Sequence, residues 1–192
     1  MLPIGHVAYT LGAWELARER FDLEADYRLV ALAALLPDLV DKPLSLLIFT
    51  EARTSQGLAH TLLLHALILM GTALFWRRGI LYALAFNGHL LLDRMWLYPH
   101  TLFYPFLGWR FEPWRFMGTP EAMLENYLEI IQYPGIIACE VGGLAVLAWL
   151  VFRHRLYRWE TLKGFLFFGK VPSAGGEKKF WRRYRARHSR SG

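Results

Sequence analysis

Twenty consecutive positions, Gly57 to Trp76, carry no Asp, Glu, Lys or Arg. A hydrocarbon core of ~30 Å needs about 20 apolar residues at the helical rise, so such a stretch demands lipid around it or a core able to surround it. Tyr133 to Phe152 is a second such stretch, interrupted only by Glu140, and Gly79 to Tyr98 a third, carrying Asn87, His89, Asp93 and Arg94. A fourth segment, Leu29 to Phe49, is broken by Pro37-Asp38 and by Asp41-Lys42-Pro43. Two prolines and three charges predict two short helical pieces there, re-entrant rather than one clean span. The expected fold is therefore all-α, a multi-pass transmembrane helical bundle with three clear spans and a broken fourth. A soluble bundle with helices apolar all round accounts for the third and fourth segments alone, but poorly for the first two.

Composition supports this. A chain of 192 residues, 55% hydrophobic and 16% aromatic with 20% charged, fits one domain and excludes disorder or a fibrous repeat. A single cysteine, Cys139, excludes a disulfide framework and Cys-based zinc modules. Residues 1–14 lack a basic leading region and Glu15 to Arg28 is mixed in charge, so no cleavable signal is expected.

Charge is unevenly placed. Residues 153–192 hold twelve Lys and Arg against Glu160 and Glu177, a net +10, while the rest of the chain holds ten basic and fourteen acidic residues, a net −4. Arg153, Arg155 and Arg158 follow the last apolar stretch, and Arg77-Arg78 lies between the first and third. Basic residues beside a span favour the cytoplasmic side. The chain then reads as residues 1–168 embedded in the cell (inner) membrane and a basic cytoplasmic tail over 169–192, the C-terminus inside. On this orientation Gly57–Trp76 runs inward, Gly79–Tyr98 outward, and Tyr133–Phe152 returns. The outer connection and its approach crowd Trp96, Tyr98, Phe103, Tyr104, Phe106, Trp109, Phe111, Trp114 and Phe116, as an interfacial cap would. A basic tail with aromatics is also a nucleic-acid footprint. Beside a span, anionic lipid headgroups are the simpler partner, and a tail that only sets topology the simplest reading. Membrane lipids are thus the expected partners, and no nucleic acid.

Ionisable residues inside apolar segments are costly and usually face a partner or a site. His89 and Asp93 stand four apart, on one helical face, and an imidazole and a carboxylate there can hold one metal ion. His60 and Asp93 fall at a similar depth, and Asp38, after Pro37, can point into the same space. His65 lies roughly 140° from His60 around a helix and is read as a helix–helix hydrogen-bonding residue. Glu140, beside Gly142 and Gly143, is read as an interhelical contact or site lining. The competing account is a buried polar network that only holds the bundle together.

These residues carry a resemblance. Pro37-Asp38-Leu39-Val40-Asp41, Gly57-Leu58-Ala59-His60-Thr61-Leu62, His89-Leu90-Leu91-Leu92-Asp93 and Leu102-Phe103-Tyr104-Pro105-Phe106 resemble the membrane-bound metal-dependent hydrolases, the YdjM-like, LexA-binding inner-membrane family. The likeness runs over roughly residues 1–110, with His6 at the family's early histidine. That family is distantly similar to zinc-dependent phospholipase C, whose all-helical metal site uses an early His, an Asp, a His and a His-x-x-x-Asp pair. The resemblance implies a phospholipase C-like helical metal site for one or two divalent ions, most simply zinc. Its ligands would be His6, Asp38, His60, His89 and Asp93, with His100 a further position for a second ion. It also implies that Asp38 bridges ions or takes a proton as a catalytic group. The family's central His-Arg-Gly-x-Thr-His-Ser reads Ser55-Gln56-Gly57-Leu58-Ala59-His60-Thr61 here, and its Thr-x-x-Gly is replaced by Trp96 to Thr101. The retained positions are ligand types; the altered ones are placed to contact a substrate or its phosphate. The expected function is hydrolysis of a phosphoester of a lipid or lipid-linked substrate. The alternative is a non-catalytic membrane scaffold or binding protein with a structural metal or polar network. A small transporter or proton relay is weaker, since no inverted repeat is visible.

Overall fold

A computed structural model of the chain describes residues 1–21, 23–48, 54–113 and 119–171. Most of these residues are helical, with no strand among them. Helix α1 is Pro3–Phe21 and α2 is Tyr27–Leu47; a 3-10 turn at Leu58–His60 leads into α3, Leu62–Phe75. Then come α4 (Ile80–Leu92), the short α5 (Pro99–Leu102), α6 (Pro120–Ile130), α7 (Pro134–Arg153) and α8 (Trp159–Phe168). The basic run from Lys178, with Trp114 and Phe116 of the aromatic cap, lies outside the described residues.

Helix α2 corrects the expected break in Leu29–Phe49. It runs unbroken for 21 residues through Pro37 and Pro43, started by Asp26, whose carboxylate accepts the Arg28 N–H. An internal proline leaves one carbonyl without its N–H, and neighbouring packing can hold the loosened turn. Both α1 and α4 pack along α2 and supply that support. The loosened turn also serves a neighbour, because the Ala34 carbonyl accepts the Nδ1–H of His89 on α4 at 2.7 Å. Asp38 and Asp41, three apart on α2, are both buried.

The three-span expectation is corrected as well. Within Gly57–Trp76 and Gly79–Tyr98 the helices are 14 and 13 residues, about 20 Å each at the helical rise. Polar residues cut both short. Asp41 takes the amides of Gly57 and Ala59, at 2.7 and 3.0 Å, and so holds that stretch as a turn. α4 ends before Asp93, and Arg94 then takes a left-handed backbone with φ 53°. Among the described residues one helix, α7, is long and apolar enough to cross a membrane, with α3 a shorter apolar helix.

Helix α7 packs on α1 through small residues. A Cβ added at Gly143 would meet Ala8 Cβ and Gly5 Cα at 3.3 Å, and one at Gly12 would lie 2.8 Å from Val146. Glu140 is an interhelical contact: its carboxylate accepts the N–H groups of Leu2 and Gly5, at 3.0 and 2.9 Å. The first amides of a helix have no internal partner and carry partial positive charge, so a carboxylate within an apolar helix is satisfied there. Towards the other end of α1, Leu11, Trp14, Tyr27, Val30 and Leu150 form a core around buried Glu15. Glu15 accepts the Tyr27 hydroxyl and, at 3.1 Å, Arg153 Nε, with His154 Nε2 at 3.2 Å. Burial alone would raise its pKa; the His154 and Tyr27 contacts outweigh burial and lower it to about 2.

Two outcomes follow. Gly143→Val should destabilise by about 1–3 kcal/mol through overpacking, while Gly71→Ala, at a helical glycine with open space around it, should not; thermal unfolding in detergent reads both. Glu15→Gln should lose about 3 kcal/mol at neutral pH as a buried ion pair is broken. The folded pKa of Glu15 lies below the ordinary 4.5, so its contribution is full above that value and fades as pH falls towards 2. The gap between parent and Glu15→Gln should close over that window.

Candidate metal centre

Three stretches of chain converge beside the N-terminal part of α1: the middle of α2, the Gly57–Thr61 turn and the end of α4. Asp38, His60, His89 and Asp93 each offer one donor atom there, all within 4.8 Å of one another. His60 and His89 are fully buried, and Asp38 is nearly so.

The orientation of the two imidazoles follows from their outer partners. Asp41 Oδ2 lies 2.7 Å from His60 Nδ1. A carboxylate can only accept here, so Nδ1 carries the proton, and in the neutral ring Nε2 is left with its lone pair. His89 Nδ1 is fixed likewise by the Ala34 carbonyl. The two Nε2 atoms then face each other at 3.1 Å. Two lone pairs so aimed repel unless a cation lies at them, either a proton shared as an N–H···N hydrogen bond or a metal ion. Such an outer partner on each ring is the arrangement that fixes metal-binding histidines.

Each carboxylate is divided in the same way. Asp38 Oδ1 lies 3.7 and 3.8 Å from the Nε2 atoms of His60 and His89, while Oδ2 is 2.5 Å from Lys42 Nζ. Asp93 Oδ2 lies 3.6 and 3.4 Å from the same nitrogens, while Oδ1 accepts from the Met1 amine at 2.7 Å and faces His6 Nε2 at 2.9 Å. A four-coordinate ion with bonds of about 2.0–2.1 Å sets its donors about 3.3 Å apart. Five of the six separations, 3.1 to 3.8 Å, bracket that value, and all six lie within 4.8 Å. The donor set fits a small divalent metal. Burial would lower the pKa of His60, but hydrogen bonding to Asp41 and Asp93 outweighs it and raises the value to about 9; the acidic surroundings favour a cation at Nε2, and a metal ion there would take the place of that proton.

The remaining expected residues divide. His6 is beside the group, stacked on His89 with ring centres 4.0 Å apart, and reaches it through Asp93 Oδ1. His100 stands apart from the four; it is exposed, with Nδ1 3.2 Å from the Leu107 carbonyl. His65 is outside the donor set, but not for the expected reason: His60 lies in the 3-10 turn before α3, so the two share no helix, and the partner of His65 is that turn rather than another helix. Its Nε2 faces the Ala59 carbonyl at 2.9 Å and its ring packs on Phe86 of α4, so it secures the turn that carries His60. Asp41 was legible as a motif residue without an assigned role, and its three-residue spacing from Asp38 was the available signal. Gln56, whose Nε2 is 3.3 Å from Asp93 Oδ2, was legible as an altered motif position, and Lys42 only as a charge within an apolar segment, with no role assigned.

A cleft of about 570 Å³ opens onto the group. Asp38, Lys42, Asp93 and Arg94 line it, with Ser55 and Gln56 at the altered motif positions. The rest of its wall is largely apolar, including Leu92, Leu97, Ile130 and Ile136.

The family model for YdjM inner membrane protein matches residues 1–162, so the chain belongs to that family. No curated protein and no solved structure matches it.

His60→Ala and His89→Ala should each abolish stoichiometric metal binding, and Asp41→Asn should weaken it about 10- to 100-fold through the lost outer partner. His100→Ala should retain the parent metal content. Elemental analysis and calorimetric titration of detergent-purified protein check all four.

Proposed function

We propose that this member of the YdjM inner membrane protein family is a membrane-bound metal-dependent hydrolase acting on a phosphoester of a lipid or lipid-linked substrate, with zinc as the metal. The observation that carries it is the pair of Nε2 atoms 3.1 Å apart, flanked by Asp38 and Asp93, at the wall of a mainly apolar cleft. His60, His89, Asp93 and Asp38 would hold the ion, and His6 supports Asp93 or joins a second ion through it. A zinc ion held there would supply Lewis-acid stabilisation of charge on the oxygens of the attacked phosphoryl group and would lower the pKa of water from about 15.7 towards ~7. Asp38, on the cleft wall, is the group available to take a proton from the attacking water. The apolar wall suits the hydrocarbon of a lipid.

The membrane setting follows from α7 as the span and from the exposed apolar surface of α3. Arg153, Arg155 and Arg158 support a cytoplasmic position for the end of α7 and for the tail, residues 169–192, with the body, residues 1–168, in the membrane. Pro134, Gly135, Ile136 and Cys139, from the beginning of α7, line the cleft, which then faces the outer side.

One observation favours a second reading. All four donor positions come from protein side chains, as in closed structural metal sites; a scaffold or binding protein with a structural ion has this appearance.

Zinc-loaded protein assayed on phosphodiesters and phospholipids in mixed micelles separates the two. Turnover that chelation removes, and that Asp38→Asn lowers by about 100-fold or more, is the expected result. Bound zinc with no turnover across the panel would leave the structural reading. A reporter fused after Gly192 should be active in the cytoplasm.

A further inference from the structure

The cations of the cleft are not accounted for by metal binding. Lys42 follows Asp38 by one helical turn and lies against its outer oxygen, 2.5 Å away. Its side chain is 22% exposed and borders the cleft, with the Tyr127 ring centre 5.4 Å from Nζ. Arg94 borders the same cleft, directly after Asp93, and has no ion-pair partner among the described residues. Its left-handed backbone, φ 53°, marks a sharp change of direction there.

Charge decides what these groups can do. Asp38, Asp41 and Asp93 bring three negative charges; Lys42, Arg94 and a divalent ion bring four positive ones. The loaded centre therefore presents an excess of positive charge to the cleft, before the amine on Asp93 is added. An ion drawing on Asp38 also weakens the hold of that carboxylate on Lys42, because the same charge is then shared. The ammonium becomes free to turn towards an anionic oxygen in the cleft, where Tyr127 can follow it. A charge-assisted hydrogen bond of this kind is among the stronger polar contacts a partly dry cleft can make.

We infer that Lys42, assisted by Arg94, forms a phosphate-binding subsite beside the metal donors, and that Lys42 exchanges Asp38 for a phosphate oxygen of the ligand. The inference rests on the metal-centre part of the proposed function and names the group in the ligand that is recognised. The metal-ligating carboxylate would thus keep the phosphate-binding cation in place until the ligand arrives.

Cys139, the single cysteine of the chain, lines the same cleft and gives a readout independent of turnover. Zinc-loaded, detergent-solubilised full-length protein is treated with a fluorescent maleimide, alone or with inorganic phosphate, phosphatidic acid or diacylglycerol in mixed micelles. Phosphatidic acid should slow labelling of the parent. Lys42→Gln should need about tenfold more ligand for the same protection, the scale of one lost charge-assisted hydrogen bond. Lys42→Arg should keep the protection, and Arg94→Gln should weaken it. Protection by phosphatidic acid alone assigns the phosphate to a lipid, whereas protection by inorganic phosphate as well assigns the subsite to phosphate in any carrier; both support the subsite. Equal protection by diacylglycerol, no protection of the parent, or undiminished protection of Lys42→Gln overturns it. So does loss of zinc from Lys42→Gln, which would make Lys42 only a counter-ion that holds Asp38. Failure of the hydrolase reading looks different: Lys42-dependent protection persists while no substrate is turned over.

Discussion

The carboxylate of Asp41 is the contact on which the rest of the centre depends. It accepts two amides of the Gly57–His60 turn and faces the Nδ1 of His60. The same contacts end an otherwise apolar stretch as a turn instead of a helix, press it against α2, and fix which nitrogen of His60 is free. A buried carboxylate without such partners would be too costly to keep. With three donors around it, it becomes the hinge pin between the α2 backbone and the candidate metal donors.

The other buried charges follow the same rule, each at a place where the backbone or a cation already needed a partner. Glu140 takes the orphan amides at the start of α1. Asp93 divides its oxygens between the amine and His6 on one side and the donor group on the other. Glu15 gathers Tyr27, Arg153 and His154 towards the other end of α1. Helix α1 therefore has a polar anchor near each end and a small-residue contact with α7 between them. That contact joins the one candidate membrane span among the described residues to the helix that carries His6. Position in the membrane and geometry at the centre are thus coupled through packing, since α7 cannot shift along α1 without uncovering Glu140 or Glu15.

Part of the centre was legible because it is local. His89 and Asp93, four apart, must share a face once α4 forms, and an ionisable pair in an apolar helix marks a site whatever surrounds it. What failed were inferences that treat a segment by itself. The prolines of α2 were expected to break it, but α1 and α4 support the loosened turn, and its Ala34 carbonyl binds His89. The two apolar stretches around His60 and His89 looked long enough to span, but residue counts do not register that Asp41 and Asp93 end the helices early. His100, carried over by resemblance alone, sits at an exposed position held by Leu107.

By itself, then, the sequence determined the all-helical class, the apolar surface, the basic C-terminal end and the kinds of donor available, because hydrophobic period, composition and charge are properties of neighbouring residues. The tertiary structure decided which donors meet, which ring nitrogens face inward, which helix is long enough to cross a membrane, and that Lys42 and Arg94 border the same cleft. Those depend on α2, a turn and α4 packing together across tens of residues. No local period encodes the distance between a carboxylate on one helix and an imidazole on another; only the packing that buries them both sets it.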